Sequence, residues 1–214
     1  MEDLSHYRKT YDKHRLLESE IDENPMMQFR KWFCEVDENN WADETNAVSV
    51  STIGLDGFPK TRVVLLKSYN EEGFVFYTNY QSEKGRALLE NPQVCLSFFW
   101  AKAERQVIIK GVAEKVSENQ SDNYFQSRPK GSQLGAVVSP QSEVIPSYDF
   151  LENRLEILEK QYENQTEIPR PKHWGGILVR PVSIEFWQGR PNRLHDRIRY
   201  TLEEMDWKIE RMAP

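Results

Sequence analysis

Arg62 and Lys67 bracket four aliphatic residues, Val63-Val64-Leu65-Leu66. Arg105 opens another apolar stretch with Gln106 behind it, and Arg193, His195, Arg197 and Arg199 alternate near the C-terminus. Cations at half-buried strand positions need partners, because an unpaired buried charge is costly. Two chemistries supply them. One is ion pairing with the chain's own acids. The other is a pocket for a phosphate-bearing ligand, which Arg grips through its planar fork and Lys as a point charge. The residues alone leave both open. Arg62 and Lys67 are five positions apart, so in a regular strand they face opposite sides. They would then serve different ligand groups, one phosphate each, unless a bulge re-aims one of them. Tyr124, Arg128 and Ser132 recur at intervals of four. Pro129 disfavours a helix running through Arg128, and Ser132 reads as the N-cap of a following helix. That trio is either a phosphate grip or a capped structural junction. Trp187 is flat and amphipathic, suited to a core or to the flank of an aromatic cofactor.

Other chemistries lack their residues. His6, His14, His173 and His195 form no H-x-x-x-H or H-x-H pair, so no metal site is expected. G-x-S-x-G, G-x-G-x-x-G and the P-loop pattern are absent. The formal charge of −6 disfavours a nucleic-acid binder. Cys34 and Cys95 match neither a disulfide framework nor a zinc spacing and read as buried small hydrophobes. Residues 1–8 show no apolar run of a secretory signal, and the longest aliphatic run is four residues, so no membrane span is expected and the cytoplasm is the expected compartment.

These groups must be held by a chain of 214 residues, 12% aromatic, enough for one domain with a sizeable core. Residues 1–23 are polar and read as a mobile arm, leaving 24–214 as a single domain. Asn24-Pro25 starts a helix whose stripe is Met26, Phe29, Phe33 and Val36. Strands are expected over 46–53 and 60–67, joined at Asp56-Gly57, then over 74–78, 93–101 and 105–116. Helices are expected over 82–90, 117–126, 132–138 and 148–165, and strands over 176–180, 183–188, 197–202 and 206–212. Strands in hairpin-like runs point to an α+β fold, an antiparallel barrel with helices outside.

The stretch Ile184-Glu185-Phe186-Trp187-Gln188, four residues, then Arg193-Leu194-His195-Asp196-Arg197 resembles the C-terminal signature of the pyridoxamine 5′-phosphate oxidase family. Arg62 to Lys67 resembles its R-x-V-L-L-K segment. Tyr77-Thr78-Asn79, Ser82 with Lys84-Gly85, Glu104-Arg105-Gln106, Tyr124-Phe125 with Ser127-Arg128-Pro129, and Gln141-Ser142 follow in family order, so the likeness spans nearly the whole chain. The resemblance implies an FMN-binding split β-barrel with peripheral helices, working as a homodimer with FMN at the interface. It implies oxidation of pyridoxamine or pyridoxine 5′-phosphate to pyridoxal 5′-phosphate, with O2 as acceptor and H2O2 as product. Arg62 and Lys84 would bind the FMN phosphate. Val63, Val64, Leu65, Leu66, Lys67, Tyr77, Thr78, Gln106, Gln141, Ser142, Trp187 and Arg197 would complete the cofactor site. Lys67, Tyr124, Arg128 and Ser132 would take the substrate phosphate. Arg193, Leu194 and His195 would face its ring, with Arg193 and His195 catalytic, and Arg8 and Tyr11 would close over it. One departure stands out: many members carry Arg where this chain has Glu83, which is expected to point to solvent. The alternatives are a flavin reductase on the same barrel and a non-catalytic protein that binds FMN or pyridoxal phosphate.

Overall fold

The structure, a computed structural model, describes residues 2–214. Helix α1 (Pro25–Glu38) begins where Asn24 accepts the Met26 N–H at 2.8 Å and proline takes the first position. Met26, Phe29, Trp32 and Val36 face inward, which turns Cys34 to the exposed side; Cys95 is half-buried. Neither cysteine is the buried hydrophobe expected of it. Phe29 is the hub of the core, with Phe74 at 4.9 Å, Tyr69 at 5.0 Å and Phe98 at 5.2 Å between ring centres.

Strands β1 (Ala47–Ile53) and β2 (Pro59–Leu65) form the expected hairpin. A short strand β3 (Ser68–Asn70), unforeseen, precedes β4 (Gly73–Asn79), and α2 (Glu83–Glu90) follows, capped by Ser82. Then come β5 (Gln93–Trp100), β6 (Arg105–Lys115), α3 (Glu118–Ser127), α4 (Lys130–Val138) and α5 (Tyr148–Gln161). The two strands expected over 176–188 are one, β7 (Trp174–Gln188), and β8 (Asp196–Glu203) and β9 (Asp206–Arg211) close the chain.

All pairings are antiparallel, in the order β2-β1-β5-β6-β7-β4-β3. β7 explains the split in this barrel. One edge pairs with β6 along its length. The other pairs first with β4, through 174–179, and then with β8, through 183–188. Pro181 stands at the change of partner, opposite the register shift at Lys110/Gly111. β2, at one end of the path, approaches β4, the next-to-last strand at the other, and the Lys67 N–H donates to the Val75 carbonyl at 2.8 Å.

Residues 2–23 contain no helix or strand, yet from Tyr11 onward this segment is tied to the barrel. Leu16 enters the core, its N–H donates to Asp196, and its carbonyl accepts from Arg211. Met1, part of the expected arm, lies outside the described residues.

Candidate functional site

Where β2 meets β4 a cleft of about 350 Å³ opens, lined along β2 by Arg62, Val63, Val64 and Leu65 and beyond it by Lys67. Tyr77 and Thr78 of β4, Lys84 of α2, Tyr124, Arg128 and Gln141 complete most of its wall. An adjoining cavity of about 360 Å³ shares Arg128 and Gln141 and adds Ser132. The opposite-face expectation for Arg62 and Lys67 is corrected: β2 ends at Leu65, so strand alternation stops before Lys67 and both cations reach one cleft. Leu66 departs from its expected place, because its side chain is in the core and its N–H is spent on the Asn46 carbonyl.

The cations of this cleft differ from the others. Arg105 is ion-paired with Glu35 at 2.6 Å, Arg197 with Glu185 at 2.8 Å and Arg199 with Glu210 at 2.8 Å. Arg62, Lys67, Lys84 and Arg128 have no carboxylate partner among the described residues. Arg62 donates to Thr52 Oγ1 and to the Lys60 carbonyl, both at 2.8 Å. Lys84, buried in the first turn of α2, donates to Thr78 Oγ1. Burial, and then the charge of Arg62, pull its ammonium down to about 8. Glu83 does not simply face water; it pairs with Lys60 beside the cleft.

Arg128 follows the last residue of α3 in extended conformation, as Pro129 requires. Its guanidinium lies 4.6 Å from the centre of the Trp174 ring, and its Nη1 is buried without a partner. Trp174 in turn continues a stack with Tyr77 and Tyr124, whose ring centres are 3.8 Å apart. Ser132 is not the expected N-cap: α4 starts at Lys130, and Ser132 is in its first turn. Cations without a carboxylate and an orphaned buried N–H beside a helix N-terminus suit a phosphorylated ligand. This fits the phosphate of FMN.

The remaining predicted residues gather elsewhere. Gln106, Trp187 and Arg197 are register neighbours across β6, β7 and β8. The His195 ring centre is 4.6 Å from that of Trp187, and Tyr11 is 5.8 Å from each. His195 Nδ1 accepts the Arg190 N–H at 3.0 Å. Burial and the nearby Arg193 lower its pKa, against Asp196, so it is neutral near pH 7 with its proton on Nε2. Arg193 and Leu194 are exposed, and Asn192 and Arg193 both have positive φ, 56° and 61°. Ser142, at φ 75°, is exposed just past Gln141. Arg8 is exposed, bonded to the Ser5 carbonyl. None of these residues lines the cleft. Trp174 and Trp187 mark the two groups at opposite ends of β7, thirteen residues and roughly 40 Å of strand apart.

Sequence reasoning missed Asn79 and Trp174 as cleft residues. The pair Gly175-Gly176 after Trp174 was the available signal, since side chains there would strike Tyr80, Ser121 and Tyr77.

Comparison with known proteins identifies the family. The family model described as pyridoxamine 5′-phosphate oxidase matches residues 38–162, and that of the pyridoxine 5′-phosphate oxidase C-terminal dimerisation region matches 174–214. A pyridoxine/pyridoxamine 5′-phosphate oxidase of Flavobacterium johnsoniae is 64% identical over the full length of both chains. One of Christiangramia forsetii is 55% identical, covering 99% of each. Among solved structures, PhzG from Burkholderia lata, in complex with tetrahydrophenazine-1-carboxylic acid, superposes with a TM-score of 0.86 at 25% identity, covering 93% of this chain and 98% of its own. A pyridoxamine 5′-phosphate oxidase-related, FMN-binding protein of Nostoc punctiforme shares the fold, with a TM-score of 0.68 at 15% identity over 87% and 97%. On this evidence the chain belongs to the pyridoxamine 5′-phosphate oxidase family of FMN-dependent oxidoreductases.

Proposed function

We propose that this chain oxidises pyridoxamine 5′-phosphate or pyridoxine 5′-phosphate to pyridoxal 5′-phosphate, using FMN and O2 and releasing H2O2, with water taken up and ammonia released when the substrate is the amine. The observation that carries this reading is the cleft with four cations and no carboxylate to neutralise them. Arg62 and Lys84 hold the FMN phosphate. Lys67, Tyr124, Arg128 and Ser132 hold the substrate phosphate. A flavin reductase has no need of that second grip. FMN, when bound, takes two electrons from the substrate and passes them to oxygen. The protein's part is positional: two phosphate anchors fix how the two ring systems meet, and correct placement is worth several powers of ten in rate. Val63 to Leu65, Tyr77, Thr78 and Gln141 wall the flavin side. His195, with Nδ1 occupied by the Arg190 amide, presents Nε2 as a hydrogen-bond donor to the substrate. Arg193, raised on its left-handed turn, holds the substrate ring.

The second group, Gln106, Trp187, Arg193, His195 and Arg197, is supplied by the partner of a homodimer, with FMN at the interface. The family's dimerisation region, 174–214, contains most of it. Among the described residues no helix is long and apolar enough to cross a membrane, and we place the reaction in the cytoplasm. The test is to mix purified protein, FMN and pyridoxamine 5′-phosphate in air. Pyridoxal 5′-phosphate and H2O2 should appear in equal amounts. Tight FMN binding with neither product would overturn the proposal.

A further inference from the structure

Glu104 stands in the turn from β5 to β6 with φ of 57°, a left-handed conformation that costs residues other than glycine about 1 kcal/mol or more. Its side chain is only 1% exposed. A buried carboxylate in a strained position calls for a partner, yet this one makes no bond to the barrel. One oxygen accepts the N–H of Asp12 at 3.0 Å and of Lys13 at 3.2 Å, and the other pairs with Lys9 at 3.3 Å. All three belong to the N-terminal segment. Within that same stretch Tyr11 rests on Gly189, where a Cβ would come within 2.8 Å of the tyrosine Cβ and Cγ. The tyrosine ring then meets Trp187 and His195. The Glu104 main chain secures the notch, its carbonyl accepting the Gly189 N–H at 2.7 Å and Gln188 Nε2 at 3.1 Å.

We propose that Glu104 is a positioning residue, which docks the N-terminal strap and thereby sets Tyr11 beside His195 to strengthen substrate binding. This rests on the reading that Tyr11 and His195 face the substrate. The side chain serves the strap alone, so its loss should move substrate affinity and leave the cofactor untouched.

The experiment uses full-length, FMN-loaded Glu104→Gly, Glu104→Gln, Tyr11→Ala and the Glu104→Gly/Tyr11→Ala pair. Glu104→Gly relieves the left-handed strain, so its thermal midpoint should be kept or raised. Its KM for pyridoxamine 5′-phosphate should rise about tenfold, the scale of one charge-assisted hydrogen bond, with kcat within about twofold and FMN affinity unchanged. Glu104→Gln, whose amide oxygen still accepts both N–H groups, should recover most of the loss. The double variant should be no worse than the worse single one, because both act through one contact. Trypsin should cut Glu104→Gly after Lys13 faster than the parent. An unchanged KM in Glu104→Gly, additive losses in the double variant, or an unchanged cleavage rate would each overturn the proposal. If Tyr11→Ala alone leaves KM unchanged, the placement of Tyr11 at the substrate falls instead, and the trypsin rate still decides whether Glu104 docks the strap.

Discussion

Lys84 shows how one residue can carry both a cost and a function. Its ordinary pKa of 10.5 falls to about 8 because it is buried and sits beside Arg62 without a carboxylate. Below pH 8 the folded protein therefore bears the whole penalty of a buried charge. The penalty fades as pH rises from 8 through 10.5, above which the lysine is neutral in both folded and unfolded chains. A phosphate dianion reverses the balance by supplying the missing counter-charge. FMN binding above pH 8 must then take up a proton, and its dissociation constant should rise with pH by up to about tenfold per unit. Titration of the apoprotein between pH 7 and 9.5, followed by flavin fluorescence, measures this directly. Lys84→Arg, charged throughout that range, should flatten the profile. A flat profile in the parent protein would show that Lys84 does not meet the phosphate.

At the scale of elements, helix α2 brings Lys84 to the end of β4, and Gly85 sets how closely it comes. A Cβ at position 85 would lie 2.4 Å from the main-chain oxygens of both Asn79 and Tyr80. Those atoms are backbone at a strand end and cannot step aside. Gly85→Ala should push α2 outward, break the Lys84–Thr78 bond, cost about 1–3 kcal/mol of stability and weaken FMN binding. Thermal denaturation and FMN titration test both parts, and an unchanged midpoint and affinity would refute the argument. The sequence made α2 legible through Ser82 and Asn91-Pro92, and α1 through Asn24-Pro25, because caps and breakers are local signals. The β1–β2 hairpin was legible for the same reason. What escaped depends on partners distant in sequence. Whether 176–188 is one strand or two is decided by β4 and β8 sharing an edge, which no local pattern encodes. Lys67 shares a face with Arg62 only because β2 stops at Leu65 to meet β4. Trp174 carried no local signal, since Tyr124 and Arg128 reach it from α3 and the residue that follows it. The candidate site residues came from the family resemblance; their charges alone left ion pairing and phosphate binding open, and the structure divides them, giving Arg105 and Arg199 acids and Arg62 and Lys84 none.

The whole molecule has a constraint that neither scale below it resolves. One chain presents the phosphate cleft at the start of β7 and the Trp187–His195 group at its end. A strand cannot fold its own ends together, so the proposed site, which joins the two groups, draws one of them from a second copy, and a two-fold axis then makes two such sites. This gives a quantitative expectation. Arg62→Glu places an acid in the phosphate cleft and should abolish FMN binding there; Arg193→Ala should spoil the ring-facing group. Each homodimer is then inactive at both sites, for different reasons. In a mixed dimer one site collects both lesions and the other collects neither. Random exchange in an equal mixture makes half the dimers mixed, with half their sites intact, so about one quarter of the parent activity should return. The rise should follow the rate of subunit exchange, while FMN bound per dimer should stay at about one on average, because mixing changes which ring-facing group meets each intact cleft and not the number of intact clefts. If every site were built from one chain, each would keep its own lesion and mixing would restore nothing. Peroxide production before and after co-refolding of the two variants separates these outcomes.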